Sequence, residues 1–117
     1  MPDCLFCRII AREVPATIVY EDDRALAFRD LHPQAPTHVL VVPRTHVAII
    51  DDIEESHEAD IGHLFRVAAE VAKKEGLTSR GYRTVMNCGE EAGQSVFHLH
   101  LHVLGGKAMG WPPFPRG

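Results

Sequence analysis

Three histidines occupy alternate positions in residues 96–104, whose sequence is VFHLHLHVL. Because successive side chains of a β-strand point to opposite faces, His98, His100 and His102 are predicted to share one face. A solvent-exposed strand would be served equally well by Thr, Lys or Glu, so packing alone is a poor explanation for three imidazoles. A tri-histidine zinc site is a further alternative, although three ligands from one strand converge less easily than two.

The chemistry that this pattern favours is nucleophilic catalysis at phosphorus. A neutral imidazole nitrogen attacks well near neutral pH, because the unperturbed pKa of histidine is about 6.5. The phosphoryl-imidazole that forms is reactive enough for water to cleave it. Flanking imidazoles can hydrogen-bond the phosphate oxygens. An acceptor must hold the second nitrogen of the attacking ring, so that the correct tautomer faces phosphorus.

A second candidate group is the pair Cys4 and Cys7, which has the spacing C-x-x-C. The total of three cysteines is odd and indicates no disulfide framework. In a reducing compartment such a pair indicates metal binding, redox chemistry or no chemistry at all. Thioredoxin-like redox motifs follow a strand within a βαβ unit, and no strand is predicted before Cys4.

The elements that must position these residues can be outlined from the hydrophobic pattern. A short helix is predicted over residues 5–12, and a long helix is predicted to be capped by Ser56 and to end near Lys74, with Phe65 on its apolar stripe. Strands are predicted over residues 17–21, 25–29, 38–42, 82–88 and 96–104. This order implies an α+β fold in which a five-stranded antiparallel sheet carries both helices on one face.

Composition limits the remaining possibilities. The chain of 117 residues suits one domain, residues 1–117, in which residues 105–117 form an irregular tail containing three prolines. A net charge of −4 argues against a nucleic-acid groove. Neither an apolar run of about 20 residues nor a signal peptide is evident, so we expect a cytoplasmic protein that does not contact a membrane.

The triad segment resembles the signature of the histidine-triad (HIT) family. Residues 98–104 match the pattern His-φ-His-φ-His-φ-φ, in which φ is hydrophobic. The resemblance extends over nearly the whole chain, which is similar to the histidine-triad nucleotide-binding (Hint) branch of this family. The motifs that carry it are Phe28-Arg29-Asp30, Pro33-Gln34-Ala35-Pro36-Thr37-His38, Gly93-Gln94-Ser95-Val96, Leu104-Gly105-Gly106 and Trp111-Pro112-Pro113.

This resemblance implies an activity and an assembly. The activity is hydrolysis of the P–N bond of adenosine or guanosine 5′-phosphoramidates, as in purine nucleoside phosphoramidases. The fold implied is a five-stranded antiparallel sheet with one long and one short helix, paired in a homodimer with a continuous ten-stranded sheet. No organic cofactor is implied.

The resemblance also implies roles for the catalytic residues. His100 resembles the nucleophile that forms a nucleotidyl-histidine intermediate, and His102 resembles the residue that contacts a phosphate oxygen. His38 is implied to hold and polarise the nucleophile. His98 would support the nucleophile or bind a metal, and Ser95 would offer its hydroxyl and backbone N–H to the phosphate and the leaving group.

A nucleotide site follows from the same resemblance. Asp30 would accept hydrogen bonds from the ribose hydroxyls, and Asn87 would reach the ribose-phosphate region. Trp111 would pack near the active site of the partner subunit, or alternatively against its own core. The other residues implied to bind nucleotide, of which the apolar ones could equally be ordinary core, are Phe6, Ile9, Phe28, Leu31, Gly93, Gln94, Ser95, Val96, His100 and His102.

Some HIT proteins and the related galactose-1-phosphate uridylyltransferases bind zinc through two cysteines and two histidines. The resemblance to them implies that Cys4, Cys7, His46 and His98 bind a zinc ion. Since other members of the Hint branch lack the cysteines and remain active, this zinc would be structural.

Two alternative functions remain open. Hydrolysis of dinucleoside polyphosphates, or nucleotidyl transfer, is typical of branches that place a glutamine at or near the third triad position. The present chain has His102 followed by Val103-Leu104, which favours the phosphoramidase branch. A nucleotide-binding regulatory protein with incidental hydrolysis would use the same residues.

Overall fold

A computed structural model describes residues 3–114. It contains a short helix α1 and a long helix α2, together with five strands that form one antiparallel sheet in the order β1-β2-β3-β5-β4. The predicted five-stranded α+β fold is therefore confirmed. The elements are α1 Leu5–Ile10, β1 Ile18–Glu21, β2 Ala25–Arg29, β3 Thr37–Pro43, α2 Glu58–Lys74, β4 Tyr82–Val85 and β5 Leu101–Gly105.

Helix α2 covers one face of the sheet. Its buried side chains recur every three or four residues, as one stripe of an amphipathic helix requires. They pack against the small and β-branched residues that alternate along β2 and β3, namely Ala25, Ala27, Val39 and Val41. Phe65, which was predicted to belong to the buried stripe, is 51% exposed, and Val67 is buried instead.

Helix α1 covers the opposite face, so the expectation that both helices share a face was wrong. Phe6 and Ile9 pack against the other side chains of the same strands, Leu26, Phe28, Leu40 and Val42. The physical reason is that β2 and β3 are apolar at almost every position and not at alternate positions. A strand that is apolar on both faces must be covered on both faces.

Three boundaries differ from those predicted. Helix α1 ends at Ile10, because Arg12 adopts a left-handed conformation with φ of 64°. Ser56 lies in a 3-10 turn and does not cap α2, which has no side-chain hydrogen bond at its N-cap; within that turn the backbone N–H of Glu54 donates to His57 Nδ1 over 2.9 Å. Strand β4 ends at Val85, three residues earlier than expected.

The start of β5 is the difference that matters most for the site. Only His102 of the triad lies in the strand, because β5 begins at Leu101. Continued pairing with β3 would place residue 99 opposite Pro43, which has no N–H to donate. The backbone N–H of Leu99 donates instead to the carbonyl of Val47 over 2.8 Å. As a result Phe97, expected to face the core, is 48% exposed.

Within residues 3–114, no helix combines the length and the apolarity that crossing a membrane requires.

Candidate active site

Strands β3 and β5 bring His38 and His102 together on the face of the sheet that α1 covers. Leu40 lies directly opposite His102 in the antiparallel register, and His38 lies two residues before Leu40, so these side chains share a face. A cavity of about 300 Å³ opens at this point, between the two strands, α1 and the loop that contains Ser95. It is lined by Leu5, Phe6, Ile9, Val14, Pro15, Ala16, Phe28, Arg29, Asp30, Leu31, His32, Leu40, Gly93, Ser95, Val96, His100 and His102.

His38 determines which nitrogen of His102 carries a proton. The backbone N–H of Gln34 donates to His38 Nδ1 over 3.0 Å, so a neutral His38 carries its proton on Nε2. That nitrogen lies 2.8 Å from His102 Nδ1, to which it donates. His102 must then carry its own proton on Nε2. Burial lowers the pKa of His38, and it lowers the pKa of His102 to about 4, so both rings are neutral at pH 7.

This contact corrects the role expected for His38. We expected His38 to hold the nucleophile His100, whereas its Nε2 contacts His102. Asp30 also contacts His38, since its Oδ2 lies 3.4 Å from His38 Nε2.

His100 is held by a backbone carbonyl. Its Nδ1 lies 2.8 Å from the carbonyl oxygen of His98, which can only accept, so Nδ1 carries the proton. The lone pair therefore lies on Nε2 of a ring that lines the cavity. Burial lowers the pKa of His100, with the hydrogen bond to His98 acting in the opposite direction. Phe6 contacts the ring edge-to-face, with 5.0 Å between centroids.

The side chain of His98 faces a separate cluster. Its Nε2 donates to the carbonyl of Pro43 over 2.8 Å, so the lone pair lies on Nδ1. That nitrogen lies 3.4 Å from Cys4 Sγ, 3.5 Å from Cys7 Sγ and 3.1 Å from His46 Nδ1. Burial lowers the pKa of His98 to about 4. The backbone of His98 thus supports His100, while its ring belongs to the cysteine cluster.

The cysteine cluster fits a zinc ion. The four ligand atoms lie within 4.8 Å of one another, and two thiols with two imidazoles form a usual tetrahedral zinc set. Burial raises the pKa of the Cys7 thiol, and Cys4 raises it further, so without a cation the thiol stays protonated near neutral pH. A divalent cation between the thiolates and the His98 lone pair would satisfy all four groups.

Most of the predicted nucleotide-binding residues converge on the cavity. Phe6, Ile9 and Phe28 line it and also belong to the core that packs beneath α1, so the interpretation as ordinary core is confirmed and nucleotide binding by the three stays a prediction. Leu31 stands at its rim and is 85% exposed. Gly93 has a φ of 98°, a left-handed conformation that favours glycine, where the loop borders the cavity.

Three residues that were predicted to bind nucleotide do not line the cavity. Gln94 is buried and braces its loop, accepting from the N–H of Gly89 and donating to the carbonyls of Ala48 and Val96. Asn87 is half-buried behind Gly93. Trp111 is 77% exposed beneath the guanidinium of Arg83, so it does not anchor the tail in its own core.

The cavity also contains residues that the sequence did not single out. Leu40 could have been found, since it lies two positions from His38 in a predicted strand and so shares its face. Residues 14–16 carry no local signal, because only the packing of α1 on the sheet brings them to the cavity. The additional lining residues are Leu5, Val14, Pro15, Ala16, Arg29 and Leu40.

Comparisons with known proteins identify the family of the chain. The sequence pattern of the family described as "HIT domain" matches residues 11–109. An "Uncharacterized HIT-like protein" of Synechococcus elongatus is 52% identical over 95% of this chain and 96% of its own length. "Purine nucleoside phosphoramidase" of Escherichia coli K12 is 44% identical over 92% of this chain and 91% of its own length.

Solved structures show the same fold. The crystal structure of a "HIT family hydrolase" from Legionella pneumophila superposes with a TM-score of 0.93 at 47% identity, covering 96% of this chain and all of the other. A "HIT family hydrolase" from Clostridium thermocellum gives a TM-score of 0.92 at 47% identity, covering 94% of this chain and 96% of the other. The chain therefore belongs to the HIT domain family.

Proposed function

We propose that the protein hydrolyses the P–N bond of purine nucleoside 5′-phosphoramidates through a covalent nucleotidyl-histidine intermediate. The observation that carries the proposal is the pair of tautomers at the cavity. His100 presents an unprotonated Nε2, and the adjacent His102 presents an N–H. A nucleophile beside a hydrogen-bond donor is the arrangement that attack at a phosphate requires. The relative from Escherichia coli that is named purine nucleoside phosphoramidase supports this choice.

The nucleoside would occupy the apolar part of the cavity. Phe6, Ile9 and Phe28 offer buried apolar surface against which a purine can stack, and Leu31 would cover it from the rim. Asp30 would accept hydrogen bonds from the ribose hydroxyls, and its charge would repel a 2′-phosphate. Because these apolar side chains form no hydrogen bonds with the polar atoms of the base, adenosine and guanosine substrates should both bind.

The first chemical step forms a bond between His100 Nε2 and phosphorus as the P–N bond to the amine breaks. The amine leaves with the electron pair of that bond and takes up a proton from solvent, and Ser95, which lines the cavity, would relay this proton through its hydroxyl. His102 Nε2–H would donate to a phosphate oxygen as its charge develops. The carbonyl of His98 would stabilise the positive charge on His100 through Nδ1–H.

The second step is hydrolysis of the intermediate. Water attacks phosphorus and releases one proton to solvent, the bond to His100 Nε2 breaks with its electron pair returning to the nitrogen, and the ring returns to its neutral tautomer. The nucleoside monophosphate is released. Protein groups supply all of the hydrogen-bond donors in both steps.

Cys4, Cys7, His46 and His98 would hold a structural zinc ion. When bound, it would cross-link the start of α1 to the loop after β3 and to the triad segment, and it would supply no group to the reaction. The donor set and the spacing of the four ligand atoms support this assignment.

The assembly we propose is a cytoplasmic homodimer that binds neither nucleic acid nor membrane. Strand β4 is an edge of the sheet in the single chain, and Tyr82 on it is exposed. Pairing of this edge with a second copy would give a ten-stranded sheet and remove unpaired backbone groups from solvent. The exposed Trp111 would then lie near the active site of the partner subunit.

The experiment that tests the proposal compares wild-type protein with His100→Ala on adenosine 5′-phosphoramidate. Loss of the nucleophile should lower kcat/KM by roughly 10³-fold or more, while calorimetry should still detect binding of AMP. Acid-quenched wild-type mixtures should contain protein that carries one AMP. His57→Ala, which changes a histidine outside the cavity, should retain wild-type activity.

Two outcomes would contradict the proposal. One is a His100→Ala protein as fast as wild type, and the other is the lack of any nucleotidyl-protein in quenched mixtures. Faster turnover of dinucleoside polyphosphates than of phosphoramidates would favour the alternative hydrolase. Binding without turnover of either substrate would favour a regulatory protein.

A further inference from the structure

The two cysteines of the metal cluster are placed to react with each other. We propose that Cys4 and Cys7 form a redox-modification site, at which a disulfide bond ejects the bound metal and slows the reaction at His100. The inference rests on the proposed function for its effect on rate, whereas the disulfide and the metal release can be observed independently.

The backbone already brings the two sulfur atoms together. Cys4 caps the N-terminus of α1, and the N–H of Cys7 donates to Cys4 Sγ over 3.3 Å. Both sulfur atoms lie within 4.8 Å of each other in the cluster. A disulfide requires an S–S distance of about 2 Å, and side-chain rotation can supply most of the difference across a two-residue gap. Cys88 is not part of the cluster, and its Sγ donates to Asp51 Oδ1 over 3.4 Å.

A small oxidant can reach the pair at Cys4. A groove of about 400 Å³ lies beside the nucleotide cavity and is lined by both Cys4 and His46. Leu5, Ser95 and Val96 separate the groove from the cavity and line both. Oxidation therefore does not require the nucleotide site to be empty.

The reaction with a peroxide balances without any other reagent. The two thiolates of Cys4 and Cys7 form the S–S bond and give up two electrons. Hydrogen peroxide accepts these electrons as its O–O bond breaks, takes up two protons and becomes two molecules of water. The disulfide sulfurs no longer act as anionic ligands, so only His46 and His98 remain to bind the metal.

His98 connects this site to the catalytic ring. Its side chain belongs to the cluster, and its backbone carbonyl accepts the hydrogen bond from His100 Nδ1. Phe6, which lies between the two cysteines in sequence, contacts the rings of both His98 and His100 edge-to-face, at 6.0 Å and 5.0 Å. Disulfide formation changes the first turn of α1 and frees the His98 ring, so it should disturb the orientation of His100.

The test uses zinc-loaded protein carrying Cys88→Ser, so that only the pair can react. Hydrogen peroxide is added stepwise, and three quantities are followed: zinc captured by a chromophoric chelator, the mass of the protein and the turnover of adenosine 5′-phosphoramidate. We expect zinc release in step with loss of two hydrogen atoms from the mass. We also expect kcat to fall by about tenfold, as for loss of a group that orients a catalytic residue. A dithiol reductant and zinc together should restore all three.

A control variant cannot form the disulfide, although it also lacks one of the four zinc ligands. Cys4→Ser in the same background leaves one thiol, so peroxide should cause no loss of two hydrogen atoms within a single chain. Ring signals of His100 in the NMR spectrum provide a readout that does not depend on turnover. They should shift when the disulfide forms and return on reduction with zinc.

Several results would overturn the inference. They are a purified protein that binds no zinc, zinc that stays bound when peroxide is in excess, and zinc release accompanied by added oxygen instead of a disulfide. Unchanged kcat together with unchanged His100 signals after disulfide formation would overturn the link to catalysis. Failure of the proposed function looks different: the reduced, zinc-loaded protein would show no turnover, and the zinc, mass and NMR readouts would still decide this inference.

Discussion

Backbone carbonyls hold the first two histidines of the triad, His98 and His100. Pro43 accepts from His98 Nε2–H, and His98 accepts from His100 Nδ1–H. The rings therefore expose opposite nitrogens, Nδ1 of His98 to the cysteines and Nε2 of His100 to the cavity. In each ring the nitrogen that donates to a carbonyl carries the proton, so the other nitrogen keeps the lone pair. His98 is therefore a candidate metal ligand, and His100 is a candidate nucleophile.

At this scale the first prediction concerns His38. His38→Ala removes the donor to His102 Nδ1, so His102 can place its proton on Nδ1 and lose its N–H toward the phosphate. We expect kcat to fall by roughly 10–100-fold, with little change in the affinity for AMP. His38→Gln keeps an N–H donor near the same position and should recover much of the rate. Equal rates for the two variants in steady-state assays would contradict this role.

The second prediction concerns pH. The pKa of His102 is about 4 in the folded protein and 6.5 in the unfolded chain. Between these values the unfolded chain binds more protons, so the free energy of unfolding falls as pH falls from 6.5 toward 4. For His102 alone, the loss between pH 7.5 and pH 5 should be about 2 kcal/mol. Denaturant titrations at both pH values measure it.

His102→Gln supplies the comparison for this measurement. The variant cannot take up the proton, so its stability should differ less between the two pH values than that of wild type. A His102→Gln protein with the full wild-type pH dependence would exclude His102 as its source.

At the scale of elements, the carboxylate of Asp22 helps to fasten the turn between β1 and β2 to α2, to which Arg24 of the same turn is also joined by its hydrogen bond to Asp60. Asp22 accepts from the backbone N–H groups of Arg24 and Ala25 and from the hydroxyl of Tyr20. His63 of α2 lies 2.6 Å from the same carboxylate. Partial burial raises the pKa of Asp22, but these hydrogen bonds outweigh it and hold the pKa well below its usual range.

The third prediction follows from this contact. Asp22→Ala should lower the free energy of unfolding by about 2–3 kcal/mol, because several donors lose a charged acceptor. Asp23→Ala changes the adjacent exposed residue and should alter stability by less than about 0.5 kcal/mol. Urea denaturation of both variants at pH 7 makes the comparison. Similar losses in the two would show that Asp22 does not fasten the turn.

At the scale of the whole molecule, the sheet has two edges, and the tail leaves the sheet beside one of them. Arg83 of β4 donates to the carbonyl of Gly110 and lies over the ring of Trp111. Trp111 and Phe114 are both largely exposed. Large apolar side chains beside an open strand edge are typical of a surface that another chain covers.

The fourth prediction is therefore a dimer. Analytical ultracentrifugation of wild-type protein should give about twice the chain mass of 13.0 kDa. Trp111→Ala should remain dimeric and raise KM for the phosphoramidate, because its side chain would border the partner's site. Phe114→Ala, a matched change in the same tail, should affect KM less. A monomer at the concentrations used for catalysis would refute the assembly.

The sequence by itself determined what is encoded locally. Alternating and helical apolar patterns gave five strands and two helices. The spacing of the histidines marked His100 and His102, which line the cavity, and the C-x-x-C spacing marked Cys4 and Cys7. The resemblance to HIT proteins added Asp30, Ser95 and the histidines of the cysteine cluster, His46 and His98. These assignments depend on residue types within short windows, where a period of two or of 3.6 is directly visible.

Only the tertiary structure decided which partners those residues meet. Pro43 cannot pair with residue 99, so β5 starts late and His98 turns away from His100 toward the cysteines. The partner of His38 is His102, and the two helices lie on opposite faces. Such contacts join residues that are tens of positions apart in the chain. They follow from strand register and two-sided burial, which a local pattern does not contain.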